Sequence, residues 1–112
     1  MDYSYVKIEV YCPPEAALAV RDALNDAGAG HIGKYDHCAS AVEVTGWWRP
    51  LEGARPYEGH TGAISEAREL KLEMRCPASR IAAAVAAIRQ AHPYEEPVIN
   101  IIPLLDTPSA LG

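Results

Sequence analysis

Two short stretches concentrate the side chains able to do chemistry. Gly28 to Cys38 reads GAGHIGKYDHC and holds His31, Asp36, His37 and Cys38. All four are plausible ligands for zinc or a similar transition metal. Their spacing is neither a finger nor an HExxH pattern, and the glycines follow a helix instead of opening one, so a phosphate cradle fails on position. A glycine-rich helix stop leading into a strand accounts for the same residues without a ligand. The second stretch, His92 to Pro97, reads HPYEEP and sets an imidazole, a phenol and two carboxylates between two prolines. Proline fixes its own φ and pushes the preceding residue out of the α region, so this cluster is held extended. Adjacent residues of an extended segment point to opposite sides. Glu95 and Glu96 therefore cannot both serve one reacting atom, and at most one joins His92 as a metal or substrate contact. Their other use is capping or pairing at a sheet end. Together these stretches offer His31, His37, Cys38, His92, Glu95 and Glu96 as metal ligands, with a divalent transition metal as the candidate cofactor.

No Ser/His/Asp or Cys/His arrangement is legible, and a nucleophile without a base in reach is inert. Cys12 and Cys76 continue the inward alternation of their strands, which predicts buried, unreactive thiols. Three cysteines without CxxC spacing fit a reducing compartment, and the N-terminus shows no secretory signal. The expected location is cytoplasmic. A net charge of −5 with ten scattered basic residues excludes the footprint of a nucleic-acid binder. The longest apolar run, Ile81 to Ile88, is too short to span a membrane.

The elements that must position these residues are written as a repeat. Tyr5 to Cys12, YVKIEVYC, alternates as a half-buried strand. Pro13-Pro14-Glu15 then opens a helix with the stripe Ala17, Val20, Leu24 and Ala27, stopped by Gly28 and Gly30. Leu70 to Cys76, LKLEMRC, repeats the strand, and a second helix follows from about Ser79 to Ala91. A constant shift maps Lys7 on Lys71, Glu9 on Glu73, Cys12 on Cys76, Pro13 on Pro77 and Leu24 on Ile88. Each unit needs a closing strand: Cys38 to Trp48 for the first, and Val98 to Ile102, closed by Pro103, for the second. The order β-α-β-β-α-β predicts an α+β ferredoxin-like sandwich with an antiparallel sheet ordered 4-1-3-2 and both helices on one face. The expected organisation is one domain over residues 1–105 with a flexible tail at 106–112.

This topology places His92–Pro97 beside the long Arg49–Ile64 loop, and His31–Cys38 at the opposite end of the sheet. It also puts Cys12 and Cys76 at opposite ends, against a bond between them. One indole of Trp47-Trp48 is expected in the core and the other at a covering loop, ligand or subunit. Val98, Ile99, Ile101 and Ile102 put apolar groups on both faces of the last strand, although a two-layer sandwich covers only one. A second copy of the chain would cover the other, which predicts a homo-oligomer.

GAGHIGKYDHC, TGWWRPLEGARPYEG and AHPYEEPVINIIPL, in that order, resemble the domain inserted in many Nif-three-like dinuclear-metal proteins. The resemblance runs from about Tyr5 to Leu104 and identifies the chain as a stand-alone version of that domain. It departs from the pattern at Trp47, where a smaller residue is usual. The insert is similar to the CutA and PII signalling proteins, which implies a trimer with ligand contacts in clefts between subunits. Those contacts are His31, Tyr35, Glu52, Arg55, Tyr94 and Glu95. The family's metal-binding residues lie in flanking domains, so the resemblance implies a non-catalytic metal- or small-molecule-binding regulatory module. A purely structural oligomerisation or protein-interaction domain is the second reading, and a small metal-dependent enzyme with an intersubunit site the third.

Overall fold

A computed structural model describes residues 3–105. Four strands, β1 (Tyr5–Cys12), β2 (Ser40–Trp48), β3 (Ser65–Pro77) and β4 (Ile99–Leu104), form one antiparallel sheet in the order β2-β3-β1-β4. Read from the other edge this is 4-1-3-2, the ferredoxin-like order. Helices α1 (Ala17–Asp26) and α2 (Ile81–Ala91) follow β1 and β3, each through a 3-10 turn, Pro14–Ala16 or Ala78–Arg80. Proline in that first turn has no N–H to lose there. The expected tail at 106–112 lies outside the described residues.

The core follows the alternation. Val6, Ile8, Val10 and Cys12 of β1 and Leu72, Met74 and Cys76 of β3 face the helices, which supply Val20, Leu24, Ala84 and Ile88. Ile99 and Ile101 of β4 pack against this cluster from the edge. Val98 and Ile102 remain exposed, at 53% and 38% of their surface.

Several boundaries differ from the sequence expectation. Pro103 lies inside β4, opposite Val6, instead of closing it. An edge strand tolerates proline because the missing N–H can be the one on its unpaired side. β3 begins at Ser65, five residues before the apolar alternation starts. Its first third pairs only with β2, beyond the helices, so no hydrophobic pattern marks it. Neither indole enters the core: Trp47 is 63% exposed, and Trp48 is half-buried under the β2–β3 loop.

The internal repeat acquires a geometric meaning in the register. Repeat-equivalent residues meet face to face only at Glu9 and Glu73, which pair directly across β1 and β3. Like charges so placed repel. The equivalent lysines resolve this: Lys7 Nζ lies 3.1 Å from Glu9 and 3.6 Å from Glu73, and Lys71 Nζ 3.9 and 3.2 Å from the same pair. Hydrogen bonding to Lys7 lowers the Glu9 pKa and, reciprocally, raises that of Lys7. A charge square thus occupies the middle of the sheet face that the helices leave open.

Candidate functional site

The site is built where β1 ends, and its central pin is His92. Pro93 forces His92 into extended backbone (ψ 133°) and so ends α2. The ring turns inward and is buried. Nε2–H donates to the Tyr11 carbonyl at 2.7 Å, while Nδ1 accepts the Tyr94 N–H at 3.1 Å. These two bonds select the neutral Nε2–H tautomer. Burial lowers the His92 pKa, which keeps it neutral. A metal at His92 would have to displace one of the two bonds.

Tyr94 is aimed by that pin. Its hydroxyl donates to Glu69 Oε2 at 2.7 Å, and its ring lies between His92 (centroids 4.6 Å apart) and Tyr57 (5.8 Å). Burial first, and the Glu69 carboxylate second, push the phenol pKa far up, so Tyr94 stays a donor. Glu69 is itself buried and reaches over Gly46, where any Cβ would overlap its carboxylate. Burial also pushes the neighbouring Cys12 thiol up to about 11, as expected for an inert cysteine.

The residues between Trp48 and Ser65 form an anchored wall. Tyr57 Oη donates to Glu15 Oε2 at 2.7 Å, Trp48 Nε1 to the Glu58 carbonyl at 3.0 Å, and the Arg55 N–H to Glu95 Oε2 at 3.0 Å. Gly62 N–H closes the neck of the loop on the Pro50 carbonyl at 2.8 Å. Gly59 (φ +107°) permits the close approach, since a Cβ there would lie 2.6 Å from Ser65 Oγ and 3.1 Å from Trp48 Nε1.

Between this wall, β2 and the 92–98 segment lies a cleft of about 730 Å³. Tyr11, Trp48, Tyr57 and Tyr94 line it, with Val44, Leu51 and Val98, and Trp47 borders it from the strand whose other face carries its indole, bonded to Glu66. Its carboxylates are Glu58, Glu69, Glu95 and Glu96, against a single guanidinium, Arg49. The backbone bends through Tyr94–Glu96 instead of running extended, so Glu95 and Glu96 both border this one cleft. The alternation behind the expectation that they point to opposite sides holds only where the backbone is extended, so it does not govern this bend.

The other candidate residues gather at the far end of the sheet. Gly30 N–H bonds to the Arg75 carbonyl, and Cys38 N–H to the Gly30 carbonyl. The buried Asn25 organises the segment: its carboxamide oxygen accepts the His37 N–H at 2.8 Å, and its carbonyl accepts His31 Nε2 at 3.0 Å. His37 lies 3.0 Å from Asp36 and 3.5 Å from Asp22, and hydrogen bonding to it lowers the Asp36 pKa. Tyr35 stands 76% exposed at the tip. Within one chain, then, His31, Tyr35, His37 and Cys38 sit at one end, and Glu52, Arg55, His92, Tyr94, Glu95 and Glu96 at the other. Among the described residues, no group of three or more His, Cys, Asp or Glu side chains is arranged to hold a metal ion.

Glu15, Tyr57, Glu58 and Glu69 also belong to the site and lie outside both chemistry-bearing stretches of the sequence. One signal could have found two of them. The tripeptide Pro-Tyr-Glu occurs both at Pro56–Glu58 and at Pro93–Glu95, and the fold stacks the two tyrosines together. Glu69 carries no such mark.

Comparison with known proteins is consistent with this architecture. The family described as CutA1 divalent ion tolerance protein matches residues 57–110. A Bacillus subtilis protein named GTP cyclohydrolase 1 type 2 homolog is 43% identical over 106 residues. A Mycobacterium leprae protein of the same name is 44% identical over 103 residues. These matches cover 95% and 92% of this chain but only 28% and 27% of those relatives. Among solved structures, a NIF3-related protein of Bacillus cereus superposes with a TM-score of 0.80 at 38% identity, over 93% of this chain and 26% of that one. CutA1 from Shewanella sp. SIB1 shares the fold, with a TM-score of 0.71 at 17% identity over 99% of this chain and 91% of that one.

Proposed function

With a CutA1-like domain homologous to about a quarter of the NIF3-related proteins as the premise, we propose that residues 1–105 act as one non-catalytic, small-molecule-binding regulatory unit. The observation that carries this reading is the cleft at the end of β1. It is concave and mainly apolar, with a few fixed polar groups, which is the usual make-up of a small-molecule site. The hydrogen bonds that shape it are already made: phenols are held protonated and His92 neutral. That arrangement suits binding better than proton transfer, which needs a group poised to titrate near neutral pH. The cyclohydrolase name of the longer relatives is not carried over, since this chain corresponds to little more than a quarter of their length.

The unit works as a homo-oligomer, with a trimer favoured, in the cytoplasm. Val98 and Ile102 supply apolar surface on the open sheet face for a second copy to cover. Assembly is also what would bring opposite ends of neighbouring subunits together, so that His31, His37 and Cys38 of one copy meet Glu95 and Glu96 of another around a divalent transition metal. Among the described residues, no helix is long and apolar enough to cross a membrane.

The test is a thermal-shift screen of the purified oligomer, without a histidine tag, against small acids, nucleotides, amines, and zinc, copper and manganese salts. A ligand at a hundred times its Kd adds about 2.7 kcal/mol. A stabilising ligand that also perturbs Trp47 or Trp48 fluorescence supports the cleft. Stabilisation by a metal alone, lost in His37→Ala, supports the intersubunit site instead. No response to any compound leaves the purely structural domain as the better reading.

A further inference from the structure

We infer that the cleft selects an organic cation, an amine or quaternary ammonium carried on an apolar body. This rests on the reading of the cleft as a small-molecule site and adds the class of ligand. The first ground is the charge of the lining. Four carboxylates and one guanidinium border the space, and no lysine does. Glu58 and Glu96 are exposed and border the same cleft, one on the β2–β3 loop and one on the 92–98 segment. A carboxylate ligand brought here would meet like charge on the β2–β3 loop and on the 92–98 segment.

The second ground is independent of charge. Trp48, Tyr57 and Tyr94 border one space, and a ring face attracts a cation through its quadrupole. The tyrosines are oriented to strengthen this effect. Each donates its hydroxyl hydrogen to a carboxylate at 2.7 Å, Tyr57 to Glu15 and Tyr94 to Glu69. A phenol that donates to a carboxylate gains electron density on its ring, which makes the face a better partner for positive charge. An apolar anion or a neutral polar ligand would use neither feature.

Three probes sharing one benzyl group separate the possibilities: benzyltrimethylammonium, benzyl alcohol and phenylacetate, titrated against tryptophan fluorescence of the full chain. The cation is expected to saturate at roughly a tenth of the concentration the alcohol needs, with phenylacetate weakest. Replacing the exposed carboxylates in Glu58→Gln/Glu96→Gln should weaken the cation about tenfold and leave benzyl alcohol unchanged, with the circular dichroism spectrum retained. Benzyl alcohol or phenylacetate binding as tightly as the cation, or a cation affinity unmoved in the double variant, overturns the charge preference while leaving the cleft a ligand site. No saturable change with any of the three overturns both.

Discussion

At the scale of single residues, His92 does what a short polar linker could not. It converts a helix end into a defined direction for Tyr94 by using both ring nitrogens, one on β1 and one on its own segment. Because burial depresses its pKa, the folded protein binds that proton less readily than the unfolded chain. The resulting stability is fully present above the unfolded value of about 6.5 and is lost as pH falls through the lower folded value. Urea denaturation between pH 8 and pH 5 should show this acid-side loss, and His92→Gln should show less of it; identical slopes in the two proteins would remove His92 as the cause. Tyr94→Phe deletes the one hydroxyl that satisfies Glu69 Oε2. Leaving a buried carboxylate short of a donor should cost about 1–3 kcal/mol, read from the urea midpoint at an unchanged m value.

At the scale of elements, the β2–β3 connection is an ordered wall because three hydrogen bonds fix it to three different parts of the chain. Its tightest point is Gly59. Gly59→Ala adds a methyl group against Ser65 and Trp48 at a φ that L-residues rarely adopt, and should destabilise by about 1–3 kcal/mol. Trp48 emission should shift red in the folded variant as the loop lifts; an unchanged spectrum would mean the loop adapts without moving. The helices answer to a simpler rule. Leu24 is fully buried between α1 and the sheet, so Leu24→Ala should cost about 3–5 kcal/mol in the same assay.

At the scale of the whole molecule, one sheet face is covered by helices and the other carries a charge square flanked by exposed apolar groups. The square holds the two halves of the repeat at their shared centre, where Glu9 and Glu73 would otherwise repel. The flanks are the surface expected to meet another copy. Light scattering should therefore report a species larger than one chain, and Ile102→Lys should return it to the monomer with its circular dichroism intact. A wild-type monomer at micromolar concentration would end the intersubunit version of the metal site.

How much of this was readable beforehand depends on the range over which each signal acts. Strand β1, both helices, the order of elements and the sheet topology follow from local periodicity, turn residues and the repeat, which need only neighbouring residues to be visible. The position of His92–Pro97 beside the long loop follows from topology alone. The cleft does not. Tyr11, Trp48, Tyr57, Glu69 and Tyr94 come from five separate segments, and their meeting is set by strand twist, loop anchoring and side-chain hydrogen bonds. The same limit explains the bend at Tyr94–Glu96, where contacts to Arg55 and Glu69 override the extended conformation that the flanking prolines favour. The sandwich follows from the order of residues, since burying an alternating or helical stripe leaves few solutions. Which polar groups are satisfied and which aromatic residues border the cleft is fixed by the folded chain, because partners distant in sequence make that choice.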